Sequence, residues 1–270
     1  MVDYHVHSNY SVDAIASLEE NIKKAIELNM SEICFTDHID YEKSPYIREV
    51  PFLFDIDKFF KEINILKKKY KSKIKIVAGV EIGMQPDVID NINKLINNYE
   101  FDFLLGSIHN VSKVDLYSDK ILEGPIDEVW TKYFEEMLEC IRAIDKLNSI
   151  GHFDLPKRYN LKFKPYDIKA DQDLIETIFK EMIERKIALE INTGGFSYGL
   201  DSPNPSIDFI DLYISLGGEL FTIGSDSHSV EQLGRDLYKG YKVLYDKGIK
   251  EIVVFENQEI IFKNIEKYFK

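Results

Sequence analysis

The sequence is poor in cysteine, histidine, arginine and net positive charge. Cys34 and Cys140 are the only cysteines in 270 residues, and they stand far apart with no C-x-x-C spacing. That excludes a disulfide framework and a thiolate metal knuckle, and it leaves two small buried hydrophobes suited to a reducing compartment. The 34 Lys+Arg are outnumbered by 47 Asp+Glu, a formal charge of −13. Duplex nucleic acid and anionic membranes both reward positive charge, so neither is expected as a partner. No apolar run approaches the ~20 residues of a membrane span. The opening Met1-Val2-Asp3-Tyr4-His5 also lacks the charged-then-apolar layout of a signal peptide. Proline-rich linkers and fixed-period repeats are missing too. Residues 1–270 are therefore expected to form one cytoplasmic domain, with its oligomeric state open. The chain does have material for a core: 44% hydrophobic residues, with 17 Phe and 16 Tyr, which excludes intrinsic disorder.

Short β-rich runs at 2–7, 32–38, 74–82, 101–109, 149–154, 187–192 and 220–226, and a weaker one at 251–255, alternate with longer amphipathic stretches. The helix-like stretches are 17–28, 55–71, 86–98, 126–147, 171–185 and 205–216. After Asp171, for example, Leu174, Ile175, Ile178, Phe179 and Met182 recur at the spacing of one helix face. This alternation predicts an α/β domain built on a parallel sheet, either open and doubly wound or closed into a barrel.

The polar residues favour closure. All six histidines (His5, His7, His38, His109, His152 and His228) fall at the carboxyl end of a strand. Asp37, Glu81, Asp154 and Asp226 join them there, and Asp13 lies just after the first strand. Strand residues two apart share a face, so His5 pairs with His7, and Asp226 with His228 if the strand extends that far. Polar residues at the ends of six strands converge only in a closed sheet.

Imidazole and carboxylate without cysteine form a ligand set for Zn²⁺, Mn²⁺ or Fe²⁺. So many donors exceed the needs of one ion. Two or three ions, with a carboxylate bridging a pair at ~3.5–4 Å, are the economical reading. A lone strand-end histidine is more often a hydrogen-bonded structural residue, and H-x-H arises by chance in many chains. Six of six at strand ends, with interleaved carboxylates, points to metal.

The segments D-Y-H-V-H-S-N-Y-S-V-D-A (3–14), F-T-D-H (35–38), G-V-E-I-G (79–83), G-S-I-H (106–109), G-H-F-D (151–154), E-I-N-T-G-G (190–195) and G-S-D-S-H (224–228) carry a resemblance. Together they resemble the polymerase and histidinol phosphatase (PHP) superfamily, in the family's order. I-C-F-T-D-H and G-H-F-D-L-P-K-R are most similar to its stand-alone histidinol-phosphate phosphatases. The resemblance implies a distorted seven-stranded, TIM-like (β/α)7 barrel with a trinuclear metal centre. It implies one ion on His5, His7, Glu81 and Asp226, and a second on Glu81, His109 and His152. A third falls on Asp13, His38 and His228. Asp37 and Asp154 are left to orient imidazoles or to serve as strand-end hydrogen-bonding residues.

Arginine is scarce, five against 29 lysines, so Arg158, six residues after His152, is the first candidate for a two-point phosphate clamp. Lys157 and Arg235 follow it. Histidinol-phosphate phosphatases carry a basic residue shortly after E-x-N-T, whereas Ser197 stands there in this chain. A second phosphate contact is therefore missing or supplied from elsewhere, and the exact phosphoester stays open. The long connection 39–54 offers Asp40, Tyr41, Glu42 and Tyr46 toward an amine and an imidazole. The expected activity is metal-dependent hydrolysis of histidinol phosphate, with Glu81, Asp226, His228 and Arg158 as catalytic residues. The competing readings are a phosphatase of phosphotyrosine, nucleotides or sugar phosphates, a single-strand exonuclease, and a non-catalytic metal-binding barrel.

Overall fold

The computed structural model describes residues 1–41, 52–159 and 166–270. Its strands are β1 (Val2–Val6), β2 (Glu32–Phe35), β3 (His38–Ile39), β4 (Lys75–Gly83), β5 (Phe103–Ser107), β6 (Asn110–Val111), β7 (Val114–Asp115), β8 (Ser149–Ile150), β9 (Ala188–Asn192), β10 (Phe221–Gly224), β11 (Glu251–Glu256) and β12 (Glu259–Asn264). Seven of them pair in the order β1-β2-β4-β5-β8-β9-β10, every pair parallel, with the short β3 continuing along β4. Just beyond the end of β10 the chain returns to β1: Asp226 N donates to His5 O at 2.8 Å, and His7 N to Ser227 O at 2.9 Å. The sheet is thus a nearly closed barrel.

The main helices are α1 (Leu18–Glu27), α2 (Ile56–Tyr70), α3 (Ile89–Asn98), α4 (Ile126–Ala143), α6 (Gln172–Glu184), α8 (Ile207–Ser215) and α9 (Leu237–Asp246), with single turns α5 (Pro156–Tyr159) and α7 (Gly194–Ser197). They form for local reasons. Ser17 and Glu20 close a capping box at the start of α1, and Asp55 caps α2 by accepting from Lys58 N at 2.9 Å. On α6 the buried face is Ile175, Ile178, Phe179 and Met182, four of the five residues that the 3–4 spacing singled out. Among the described residues, no helix is long and apolar enough to cross a membrane.

Three sequence expectations change. Residues 149–154 form only a two-residue strand, because His152 turns the backbone to φ 24 and ends the pairing. The run at 251–255 belongs to an antiparallel hairpin with β12 rather than to the barrel. That hairpin closes the amino-terminal end of the barrel: Phe255 packs on Phe103 (ring centroids 5.1 Å), and its N–H donates to the Tyr4 hydroxyl at 3.0 Å. Helix α9 was not among the expected elements. Gly240 interrupts its pattern, yet that glycine lets the helix approach closely, since a Cβ there would sit 2.7 Å from Thr193 Cγ2 and 2.9 Å from Ile223 Cδ1.

Candidate metal centre

The carboxyl ends of the barrel strands gather all nine residues proposed as ligands into one cluster, and Glu81 lies at its middle. This fully buried side chain projects from β4. Its Oε1 lies 2.9 Å from His152 Nε2 and 3.2 Å from His109 Nε2. Its Oε2 lies 3.0 Å from His38 Nδ1, 3.2 Å from His5 Nε2 and 3.4 Å from His7 Nε2. One carboxylate therefore faces five imidazoles. Asp226 Oδ1 lies 3.3 Å from His7 Nε2 and 3.5 Å from His5 Nε2. Asp13 Oδ2 stands 3.5 Å from His228 Nε2 and 3.6 Å from His38 Nε2.

The imidazoles are aimed by partners on their outer nitrogens. His5 Nδ1 is 2.6 Å from Glu190 Oε1, His7 Nδ1 is 3.2 Å from Ser11 Oγ, and His109 Nδ1 is 3.1 Å from Asp40 Oδ2. A proton held on Nδ1 by such a partner leaves the Nε2 lone pair facing inward, the arrangement by which an outer shell orients metal-binding histidines. Backbone strain gathers here too: His152 and Asp226 both have positive φ, 24 and 57. Glu190 Oε2 holds the first by accepting from His152 N at 2.7 Å, and the His5 carbonyl holds the second. Gly224 permits the close passage of β10 past β1, because a Cβ there would meet His5 Cβ at 2.2 Å.

Burial alone would raise the Glu81 and Asp226 carboxyls. The positive field of His5, joined by His38 and His109 for Glu81 and by Arg158 for Asp226, outweighs it and holds both well below the usual carboxylate range. Burial lowers His109, yet Asp40 and Glu81 outweigh it and lift the ring to about 10. His7 moves the other way, to about 3, through burial and the charges of His228 and His38. This donor set fits divalent cations. Glu81 Oε2 and His38 Nδ1 are buried and accept or donate no hydrogen bond, despite lying 3.0 Å apart. His5 Nε2 and His7 Nε2 face each other at 3.1 Å. Overlapping groups such as His5–His7–Glu81 and His38–Glu81–His109 bring their donor atoms within 4.8 Å of one another.

A cavity of about 620 Å³ opens over the cluster. Arg158 reaches its wall from α5 and is buried. Its Nη1 donates to Asp226 Oδ2, its Nη2 to Asn192 Oδ1 at 2.8 Å, and Nε to Asn204 Oδ1 at 3.3 Å. Arg235 lines the same cavity, as does Ser197. Lys157 does not. Its ammonium donates to Ser206 Oγ at 2.8 Å and lies 3.1 Å from Asp154 and 5.2 Å from the Phe209 ring centroid, because neighbouring residues on a helical turn point in different directions. Asp40 borders the cavity, but its carboxylate aims His109. Tyr41 packs against the core, and Glu42 and Tyr46 lie outside the described residues.

Asp37 and Asp154 touch no imidazole. Asp37 accepts from Ser8 and from Ser11, whose hydroxyl in turn meets His7. Asp154 accepts from Asn204 Nδ2 at 2.6 Å, and Asn204 holds Arg158. Sequence reasoning missed Glu190, which serves His5 and His152 together. The available signal was the alternation in E-I-N, two polar residues on the inner face of an otherwise apolar strand. It also missed the tyrosines of the cavity wall, Tyr117, Tyr159 and Tyr198.

Comparison with known proteins agrees with this geometry. A histidinol-phosphatase of Lactococcus lactis subsp. lactis is 30% identical over 269 residues, 96% of either chain. A protein of Clostridium acetobutylicum named probable histidinol-phosphatase is 34% identical over 253 residues, 93% of this chain and 95% of its own. Among solved structures, the Lactococcus lactis histidinol phosphate phosphatase complexed with zinc, L-histidinol and phosphate aligns with a TM-score of 0.85 at 28% identity. That alignment covers 96% of this chain and 98% of the other. The family model described as PHP domain matches residues 3–194, most of the chain and most of the histidine cluster, so the protein belongs to the PHP domain family.

Proposed function

We propose that the protein is a metal-dependent phosphomonoesterase that hydrolyses L-histidinol phosphate to L-histidinol and phosphate. The observation that carries this reading is the single buried carboxylate, Glu81, facing five imidazoles in a chain similar end to end to a phosphatase solved with zinc, L-histidinol and phosphate. Two or three divalent ions (zinc, manganese or iron) are assigned to the cluster. His5, His7, Glu81 and Asp226 would hold one, Glu81, His109 and His152 a second, and Asp13, His38 and His228 a third. Held there, they supply a nucleophile from water near neutral pH and neutralise charge on the phosphoryl oxygens.

The chain's own residues do the rest. Arg158 fixes a guanidinium at the cavity wall, already oriented by Asp226, Asn192 and Asn204, where it meets the non-bridging oxygens without reorganisation. Arg235, exposed on the same cavity, supplies a second cation and answers the serine at 197. His228 Nδ1 lies 3.1 Å from the Asp226 carbonyl, a contact that aims its Nε2 toward Asp13 and the third ion's position, so the departing alcohol oxygen would take its proton from water. Both cysteines are buried outside the cavity, so no thiol reaches the phosphorus. The assigned step belongs to histidine biosynthesis in the cytoplasm, with no nucleic acid or membrane partner.

The test compares kcat/KM for L-histidinol phosphate, phosphotyrosine, a nucleoside monophosphate and a sugar phosphate. A clear preference for L-histidinol phosphate is expected; equal weak rates on all four would overturn the assignment.

A further inference from the structure

The β6–β7 hairpin starts on the residue after His109 and turns through Ser112 and Lys113, with φ 49 and 67. A two-residue loop with positive φ at both positions is one that asparagine–glycine adopts readily, and here two residues with full side chains hold it against strain. Its strands cannot enforce the turn, since each is two residues long. The support comes from a helix. Glu136 on α4 accepts from Ser112 N, at 3.1 Å through Oε1 and 3.3 Å through Oε2, and its Oε1 also lies 3.5 Å from Ser112 Oγ. The turn's own closing hydrogen bond joins its first and last residues, so the Ser112 amide must be satisfied from outside. Glu136 is 6% exposed, on the helix face that also buries Tyr133, Met137 and Cys140. Burial pushes its carboxyl up, and the Ser112 amide opposes that shift. An acid on an apolar helix face is costly, and the contact it makes is with this turn.

The other end of the hairpin meets the metal centre. Leu116 N donates to the His109 carbonyl at 3.0 Å, so the strand that leaves the turn closes on the backbone of a proposed ligand. The His109 ring is aimed by Asp40 at Nδ1 and lies 3.2 Å from Glu81 at Nε2, while its backbone is held by the hairpin. We infer that Glu136 is a positioning residue for the metal centre: from α4, outside the cavity lining, it pins the Ser112 amide and so fixes, through the β6–β7 hairpin, the backbone that aims His109. The inference rests on the reading of the cluster as a metal site and adds a residue that touches neither metal nor substrate. Without the carboxylate, Ser112 and Lys113 are free to relax to negative φ, and the hairpin no longer holds the His109 carbonyl in one place. Metal then binds a site that must first be ordered, and its affinity falls.

Metal affinity is the readout, measured for Zn²⁺ by competition with a chromophoric chelator, beside kcat/KM for L-histidinol phosphate. Glu136→Met keeps the bulk of a buried side chain and removes both oxygens. It should weaken Zn²⁺ binding about tenfold, as loss of one hydrogen bond to a carboxylate implies, and saturating Zn²⁺ should restore turnover. Glu136→Gln retains an acceptor oxygen and should stay close to native. The deciding variant adds Ser112→Asn and Lys113→Gly to Glu136→Met, a pair that forms the turn unaided. The ion pair lost with Lys113, to Asp87, is exposed and worth little. Affinity should return to near the native value. Native affinity in Glu136→Met overturns the inference. So does a loss that the new turn leaves unrepaired, which would place the effect in the packing of α4. Should the native enzyme leave L-histidinol phosphate intact, the phosphatase assignment falls while the affinity series still decides the role of Glu136.

Discussion

Glu81 is the residue on which the centre depends, since its two oxygens face five different imidazoles. Glu81→Gln keeps the shape and removes the charge. Turnover should fall by several orders of magnitude and bound metal should drop, measured by phosphate release and elemental analysis; near-native turnover would remove Glu81 from the chemistry. Glu190 tests the outer shell. It holds His5 through Nδ1 and His152 through its amide, so Glu190→Gln should weaken metal affinity or activity about 10–100-fold while the protein stays folded. Protons report on the same residues. In the metal-free protein the carboxylates around His5 and His109 lift both rings, His109 to about 10, so both carry protons at pH 7. Those protons stabilise the metal-free fold below the ordinary histidine pKa, and the His109 contribution fades as pH climbs through about 10. Metal must displace them, so apparent affinity should rise with pH and loading should release protons. Calorimetry in buffers of different ionisation enthalpy measures that release, and a value of zero would contradict the assignment. The histidines were legible because strand ends are easy to locate from apolar runs. Glu190 was not, because one acid in a strand interior carries no terminal signal.

At the scale of elements, the site depends on β10 returning to β1 and on sharp turns straight after short strands. Gly224→Ala places a methyl group on His5 Cβ, so it should cost roughly 1–3 kcal/mol of stability and misalign His5. The paired readout is a lower melting temperature with reduced metal occupancy; unchanged values of both would show that closure tolerates the extra atom. The alternation of strands and helices was readable because each amphipathic helix repeats its apolar residues at 3–4 spacing. What could not be read arises from contacts distant in sequence. Helix α9 carries a glycine for the sake of Thr193 and Ile223, and β8 stops early because His152 is bent into the cluster. Lys157 followed its neighbour Arg158 as a candidate phosphate contact, and one turn of helix sends Lys157 to Asp154 and only Arg158 to the cavity.

The whole molecule is an acidic protein, at −13, that concentrates six imidazoles and several carboxylates at one end of its barrel. The opposite end is closed by the β11–β12 hairpin through Phe255 and Tyr4, leaving the functional face to the strand termini. Ions that bind the folded cluster and not the unfolded chain add stability by linkage, so loading should raise the melting temperature in a concentration-dependent way. The most direct measurement combines occupancy with turnover. The protein is stripped with chelator, titrated with Zn²⁺ or Mn²⁺, and assayed for phosphate release from L-histidinol phosphate at each step. Activity absent without metal, and rising until two to three ions are bound per chain, is the expected result. Full activity in the stripped protein, or metal binding with no turnover of L-histidinol phosphate, would contradict it.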